Sequence, residues 1–116
     1  MQVVRLYTGP DDEAHFEDVE IQLDQLKPTG RNSELWKANA VRFREAAGDL
    51  DMDFHVAPRR QLIVNLTGDV EYEVGSGEKR IFRPGSMVLI EDVTGRGHKS
   101  RNVGSEQRTL VAIHLD

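Results

Sequence analysis

Cysteine is absent from this 116-residue chain, which excludes disulfides, zinc fingers and thiol catalysis. Proline is sparse. Pro10, Pro28, Pro58 and Pro84 fall between strand-like runs rather than inside them, as expected where a missing backbone donor would interrupt a sheet. Long hydrophobic runs are also missing, since none exceeds four residues against the roughly 18 needed for a membrane span. The first residues lack the basic-then-apolar layout of a secretion signal, so the expected location is cytoplasmic, with no membrane partner. Positive charge is in deficit, with 15 Lys and Arg against 20 Asp and Glu and a net charge of −5. That balance argues against nucleic acid as a partner. Internal repeats and low-complexity segments are absent, and the length suits one domain, residues 1–116.

Short β-branched and aromatic runs occur almost everywhere. Strands are predicted over Val3–Tyr7, Val19–Leu23, Leu35–Glu45, Met52–Val56, Leu62–Leu66, Val70–Val74, Arg80–Phe82, Met87–Glu91 and Thr109–His114. Turn signals such as Thr8-Gly9-Pro10, Pro28-Thr29-Gly30, Thr67-Gly68-Asp69 and Pro84-Gly85 separate them. Helical periodicity is confined to Asn32–Ala40, which also reads as a strand. Many short strands at regular spacing predict an all-β barrel or sandwich. Within "GSGEKR" the glycines lie between two strands with no helix following, which predicts a hairpin turn and not a phosphate cradle.

Strand parity selects the residues that share an interior. Gln61, Ile63 and Asn65 share one face of their strand, while Leu62, Val64 and Leu66 form an aliphatic row on the other. The expected arrangement is a second sheet over the aliphatic row and a pocket on the Gln61 face, into which Gln61 and Asn65 bring polar groups. Asn65 alternatively satisfies a neighbouring backbone group. Arg59 has the parity of Gln61 and Arg60 the opposite one. Arg59 is therefore a candidate clamp for a ligand carboxylate or phosphate, the alternative being a surface ion pair with Asp49, Asp51 or Asp53. Glu91 and Asp92 are candidate general bases beside His98. Trp36, Phe43 and Phe54 are expected in the core or pocket wall, and His15 at the surface.

Two stretches, 48–68 and 85–102, resemble the paired motifs of the cupin superfamily, antiparallel β-barrels of jelly-roll topology. In the first motif a histidine, a second histidine two residues later and a glutamate four further on precede a glycine by seven. Counting back from Gly68 places Gln61, Ala57 and His55 at those positions. In the second motif Gly95, His98 and Asn102 keep the expected spacing, but Val93 replaces the usual proline and the distance back to Gly85 is two residues longer. "YTGPDDEAHFEDVEI" and "HVAPRRQ" further resemble a group of small bacterial cupins of unassigned function.

Cupins commonly hold a divalent metal through three histidines and a carboxylate, so the resemblance implies His55, Gln61 and His98 as metal ligands for Zn, Fe, Mn or Ni. The third imidazole is replaced by Ala57 and the carboxylate by an amide, and both changes weaken such a site; Asp53, Glu91 and His114 are candidate substitutes. Three readings stay open: a module binding a small polar or anionic molecule through His55, Arg59, Gln61, Asn65 and His98; a metal-dependent oxygenase, isomerase or cyclase; and a structural protein without ligand. The resemblance also implies a homodimer, which long aliphatic strand faces would suit.

Overall fold

The computed structural model describes residues 1–116. Twelve strands follow one another: β1 (Gln2–Thr8), β2 (Ala14–Glu20), β3 (Gln25–Lys27), β4 (Gly30–Asn32), β5 (Ala38–Ala46), β6 (Asp51–His55), β7 (Gln61–Asn65), β8 (Asp69–Glu73), β9 (Lys79–Phe82), β10 (Met87–Glu91), β11 (His98–Val103) and β12 (Arg108–Leu115). One sheet runs β2-β1-β10-β7-β12-β5, a second runs β6-β11-β8-β9, and β3-β4 forms a separate hairpin. The chain is all-β with a jelly-roll architecture, as its sequence predicts. No helix is long and apolar enough to cross a membrane.

Alternation explains the layering. Along β12, Arg108, Leu110, Ala112 and His114 are buried while Thr109, Val111 and Ile113 are only partly so. Leu6, Ile63, Val88, Ile90, Leu110 and Ala112 of the large sheet belong to the same buried cluster as Val70, Tyr72 and Phe82 of the small one. Val3, Leu89 and Leu115 anchor a smaller cluster on the outer side of the large sheet, with Val19, Ile21, Leu62 and Met87 against it. The second sheet thus covers the Ile63 face of β7, the reverse of the expected arrangement, and Leu66 in the aliphatic row is half exposed. The cause is position in the barrel, because the interior that holds the core also holds the pocket.

Other expectations need correction. The strand predicted over Val19–Leu23 begins earlier and ends at Glu20, and the one predicted from Leu35 begins at Ala38. No helix forms over Asn32–Ala40. Trp36 and Phe43 are 42% and 80% exposed instead of buried; Phe43 lies on β5, an edge strand of the large sheet, and Trp36 in the segment that precedes it. Phe54 is partly buried beneath the Arg96 guanidinium, 4.2 Å from its ring centroid. His15 bonds Asp11 at the surface.

Glu91, a candidate catalytic residue, faces away from the barrel interior. Its neighbour Ile90 points inward, and parity sends Glu91 out to accept from Arg5 Nε at 2.5 Å and from Arg60. Burial alone would raise its carboxyl, but the hydrogen bonds and charges of Arg5 and Arg60 outweigh this and hold it below its ordinary value. A depressed carboxylate stabilises the fold above the ordinary value of 4.5, and that contribution is lost as pH falls through the folded-state value. Glu91→Gln should therefore cost about 1 kcal/mol near neutrality, a figure discounted for the exposure of both arginines. Urea unfolding across a pH series should also show a shallower acid limb in the variant; parallel curves would remove the ion-pair account.

Candidate functional site: an arginine-lined cavity in the barrel

A cavity of about 320 Å³ lies between the inner faces of the two sheets, at the lower end of the range for small-molecule sites. His55, Arg59, Gln61 and His98, all singled out by sequence, line it. Asn65 does not. Its Nδ2 donates to the carbonyls of Gly68 at 2.6 Å and Phe82 at 3.2 Å, and its Oδ1 accepts from Arg108 Nη1 at 3.0 Å. With donors and acceptor engaged, Asn65 braces the turn after β7 instead of contacting a ligand.

The two imidazoles meet because β6 and β11 pair antiparallel with His55 opposite His98. Their ring centroids are 4.7 Å apart. The Nδ1–H of His55 donates to the Asp53 carbonyl at 2.8 Å, a bond that fixes the tautomer because a carbonyl only accepts. His98 Nδ1 pairs with Asp92 Oδ2 at 2.5 Å in a fully buried contact. In both rings Nδ1 is engaged and Nε2 has no hydrogen-bond partner within the chain. Tyr72 packs edge-on against His98 at 5.2 Å, and burial pushes its phenol above the ordinary value, which keeps the hydroxyl protonated at neutral pH. Of the expected pair of bases beside His98, Asp92 takes the position next to the ring while Glu91 is turned outward.

Guanidiniums dominate the remaining wall. Arg42 and Arg44 project inward from β5 opposite Ala112 and Leu110 of β12, and Arg59 approaches from the segment before β7. These three are exposed, whereas Arg108 is 3% exposed. Burial, partly offset by the neighbouring Tyr72 and reinforced by the charge of Arg44, lowers the Arg108 pKa. Burial also lowers that of His114, with Arg59 and Arg42 adding to the effect, so this imidazole is neutral at pH 7. No Asp or Glu lines the cavity. Sequence reasoning missed Arg42, Arg44 and Arg108. Period-two parity was the available signal, since Arg42 and Arg44 share a face with Ala46, and Arg108 shares one with Leu110 and Ala112.

No protein-family model matches the chain, and no curated protein does. Among solved structures it is similar to a Cupin 2 conserved barrel domain protein from Salinispora arenicola, at 21% identity over 84% of this chain and 82% of that one, with a TM-score of 0.51. It is also similar to the Cnp3 cupin domain of Schizosaccharomyces pombe, at 14% identity over 100% of this chain and 83% of that one, with a TM-score of 0.50. The chain therefore folds as a cupin barrel. At such identities the likeness carries the fold alone, and the site's chemistry has to come from its own residues.

Those residues do not fit the four-ligand metal centre of the resemblance. Ala57 occupies the third imidazole position and is buried. No group of three or more His, Asp or Glu side chains is arranged so as to hold a metal ion. Asp53, one candidate substitute, is exposed and not on the wall, Glu91 is committed to Arg5 and Arg60, and His114 lines the cavity but sits close enough to Arg59 and Arg42 to feel their charge. Four guanidiniums around one small space also set a positive field that opposes a dication. Protein purified without an affinity tag and incubated with zinc, iron, manganese or nickel should hold no near-stoichiometric metal by elemental analysis. One equivalent, lost on His55→Ala, would overturn this.

Gly97 makes the imidazole pairing feasible. Its φ of +79° is one that L side chains rarely adopt, and an added Cβ would collide with the His55 carbonyl oxygen. Gly97→Ala should destabilise the protein by about 2 kcal/mol and separate the two rings. Thermal melting and the histidine ring signals in NMR check both effects; unchanged ring signals would detach the glycine from the site.

Proposed function

We propose that this protein binds a small anionic molecule inside its barrel. The observation that carries the reading is the wall composition, with four arginines and no carboxylate. Guanidinium is the group best matched to carboxylate and phosphate oxygens, because its planar fork donates two parallel hydrogen bonds. None of Arg42, Arg44, Arg59 and Arg108 is among the cations paired to an acid within the chain, so their charge is available to a ligand. His55, Gln61 and His98 supply further polar contacts, with both Nε2 atoms able to accept from a ligand hydroxyl. The homodimer implied by the cupin resemblance is part of the same proposal, with Val41 and Phe43, exposed on the outer face of β5, as its apolar surface.

A second reading is favoured by the Asp92–His98 pair. A carboxylate behind an imidazole orients the ring and stabilises its protonated form. His98 Nε2 would then remove a proton from the carbon next to an anionic group held by the arginines, which is isomerase-type chemistry needing no metal. Exchange of that carbon-bound proton with deuterated solvent separates the two readings: an enzyme exchanges it and loses the exchange on His98→Gln, whereas a pure binding module shows no exchange in the unsubstituted protein.

Thermal-shift screening with small carboxylates, inorganic phosphate and neutral polyols tests the main reading. Carboxylates or phosphate should raise the melting temperature and polyols should not, because only a ligand that prefers the folded state stabilises it. Arg59→Ala should weaken the responding anion about five-fold, the modest effect expected of an exposed charge. Stabilisation by polyols alone, or no change on Arg59→Ala, would count against it.

A further inference from the structure

We propose that the ligand carries two anionic groups, one seated on the buried Arg108 guanidinium and the other held at the rim by Arg42 and Arg59. This rests on the reading of the cavity as an anion site and names the class of molecule it takes.

Arg108 supplies the inner position. Of its donors, Nη1 is taken by the Asn65 oxygen at 3.0 Å, and Nε is buried with no hydrogen-bond partner. No acidic side chain pairs with it. A guanidinium taken out of water without a counter-charge is among the costliest groups a fold can contain, and one turned toward a cavity is normally matched by what the cavity holds. Asn65 offers a dipole but no charge, so the missing partner is an oxyanion. Arg44, opposite Leu110 and so one inward-facing step from Arg108, flanks the same position.

The rim supplies the outer position. Arg42 lies opposite Ala112, four residues from Arg108 along β12, or about 13 Å of strand. Arg59 precedes Gln61 by two residues, and Gln61 pairs with His114, the next inward-facing residue after Ala112, so Arg42 and Arg59 line the same end of the cavity. A single carboxylate meets one level or the other. A compact molecule with an anionic group at each end meets both, and the volume of about 320 Å³ admits a short dicarboxylate or a phosphorylated acid of similar length.

Isothermal titration of the full chain with the dicarboxylates from malonate to adipate, each paired with its own monoamide, tests this directly. The monoamide keeps length and hydrogen-bonding capacity while removing one charge. At least one diacid should bind about ten-fold tighter than its monoamide, as a charge-assisted hydrogen bond implies. In an Arg42→Gln and Arg59→Gln double variant that ratio should fall to near one. Both residues are exposed, so this variant tests the idea even where Arg108→Gln fails to fold. Equal binding of every diacid and its monoamide would overturn the second anionic position and leave the anion site standing. No binding of any diacid, monoamide or inorganic phosphate would overturn both.

Discussion

The Asn65 carboxamide holds the interior together. It closes the turn at Gly68, reaches across to the β9 carbonyl of Phe82, and turns its oxygen toward Arg108. Because both Nδ2 hydrogens are engaged, the oxygen has no freedom to leave the guanidinium. An aliphatic residue there would take a hydrogen bond from two carbonyls, one of them buried, and from a buried cation at once, a larger loss than any one hydrogen bond represents. The residue is structural in its contacts and electrostatic in its effect: it keeps a positive group inside the barrel without neutralising it.

Keeping that group charged changes what the barrel can hold. In a cupin the same interior commonly surrounds a divalent cation, with imidazoles and a carboxylate as donors. Here two of those imidazoles stay in contact, yet each turns its Nδ1 to a local acceptor, and arginines occupy the space around them. The interior here thus presents the opposite electrostatics. Imidazoles with an unpartnered Nε2 beside fixed guanidiniums suit a molecule with both an anionic end and a hydroxyl or acidic C–H, which links the binding and isomerase readings.

Much of the architecture was legible because alternation is strong where a strand separates core from solvent, as in β7, β8 and β12. β11 escaped notice because its inward residues are His98, Ser100 and Asn102, polar groups that erase the apolar alternation on which a strand is recognised. The β3–β4 hairpin was missed because all six of its strand residues are exposed. At the site, His55, Gln61 and His98 followed from motif spacing and Arg59 from parity. Asp92 emerged only in part, since sequence could not tell which of two adjacent acids would point inward. Arg42, Arg44 and Arg108 were passed over because a lone arginine in a strand resembles a solvated surface residue until its neighbours across the sheet are known. The edge position of β5, and with it the exposure of Phe43, depends on strand order, which no local pattern encodes.

The charge of the molecule is sorted by location. The chain is acidic overall at −5, although four of its arginines are gathered on one cavity wall, so the remaining surface is more acidic still. A small anion in bulk solvent first meets a repelling exterior and is attracted only on reaching the mouth. Added electrolyte screens both fields, easing approach while weakening retention. Arrival rates and residence times should therefore both respond to ionic strength in a way that lowers selectivity for charge at high salt, and exchange through the mouth would be fastest where the bound state is least favoured.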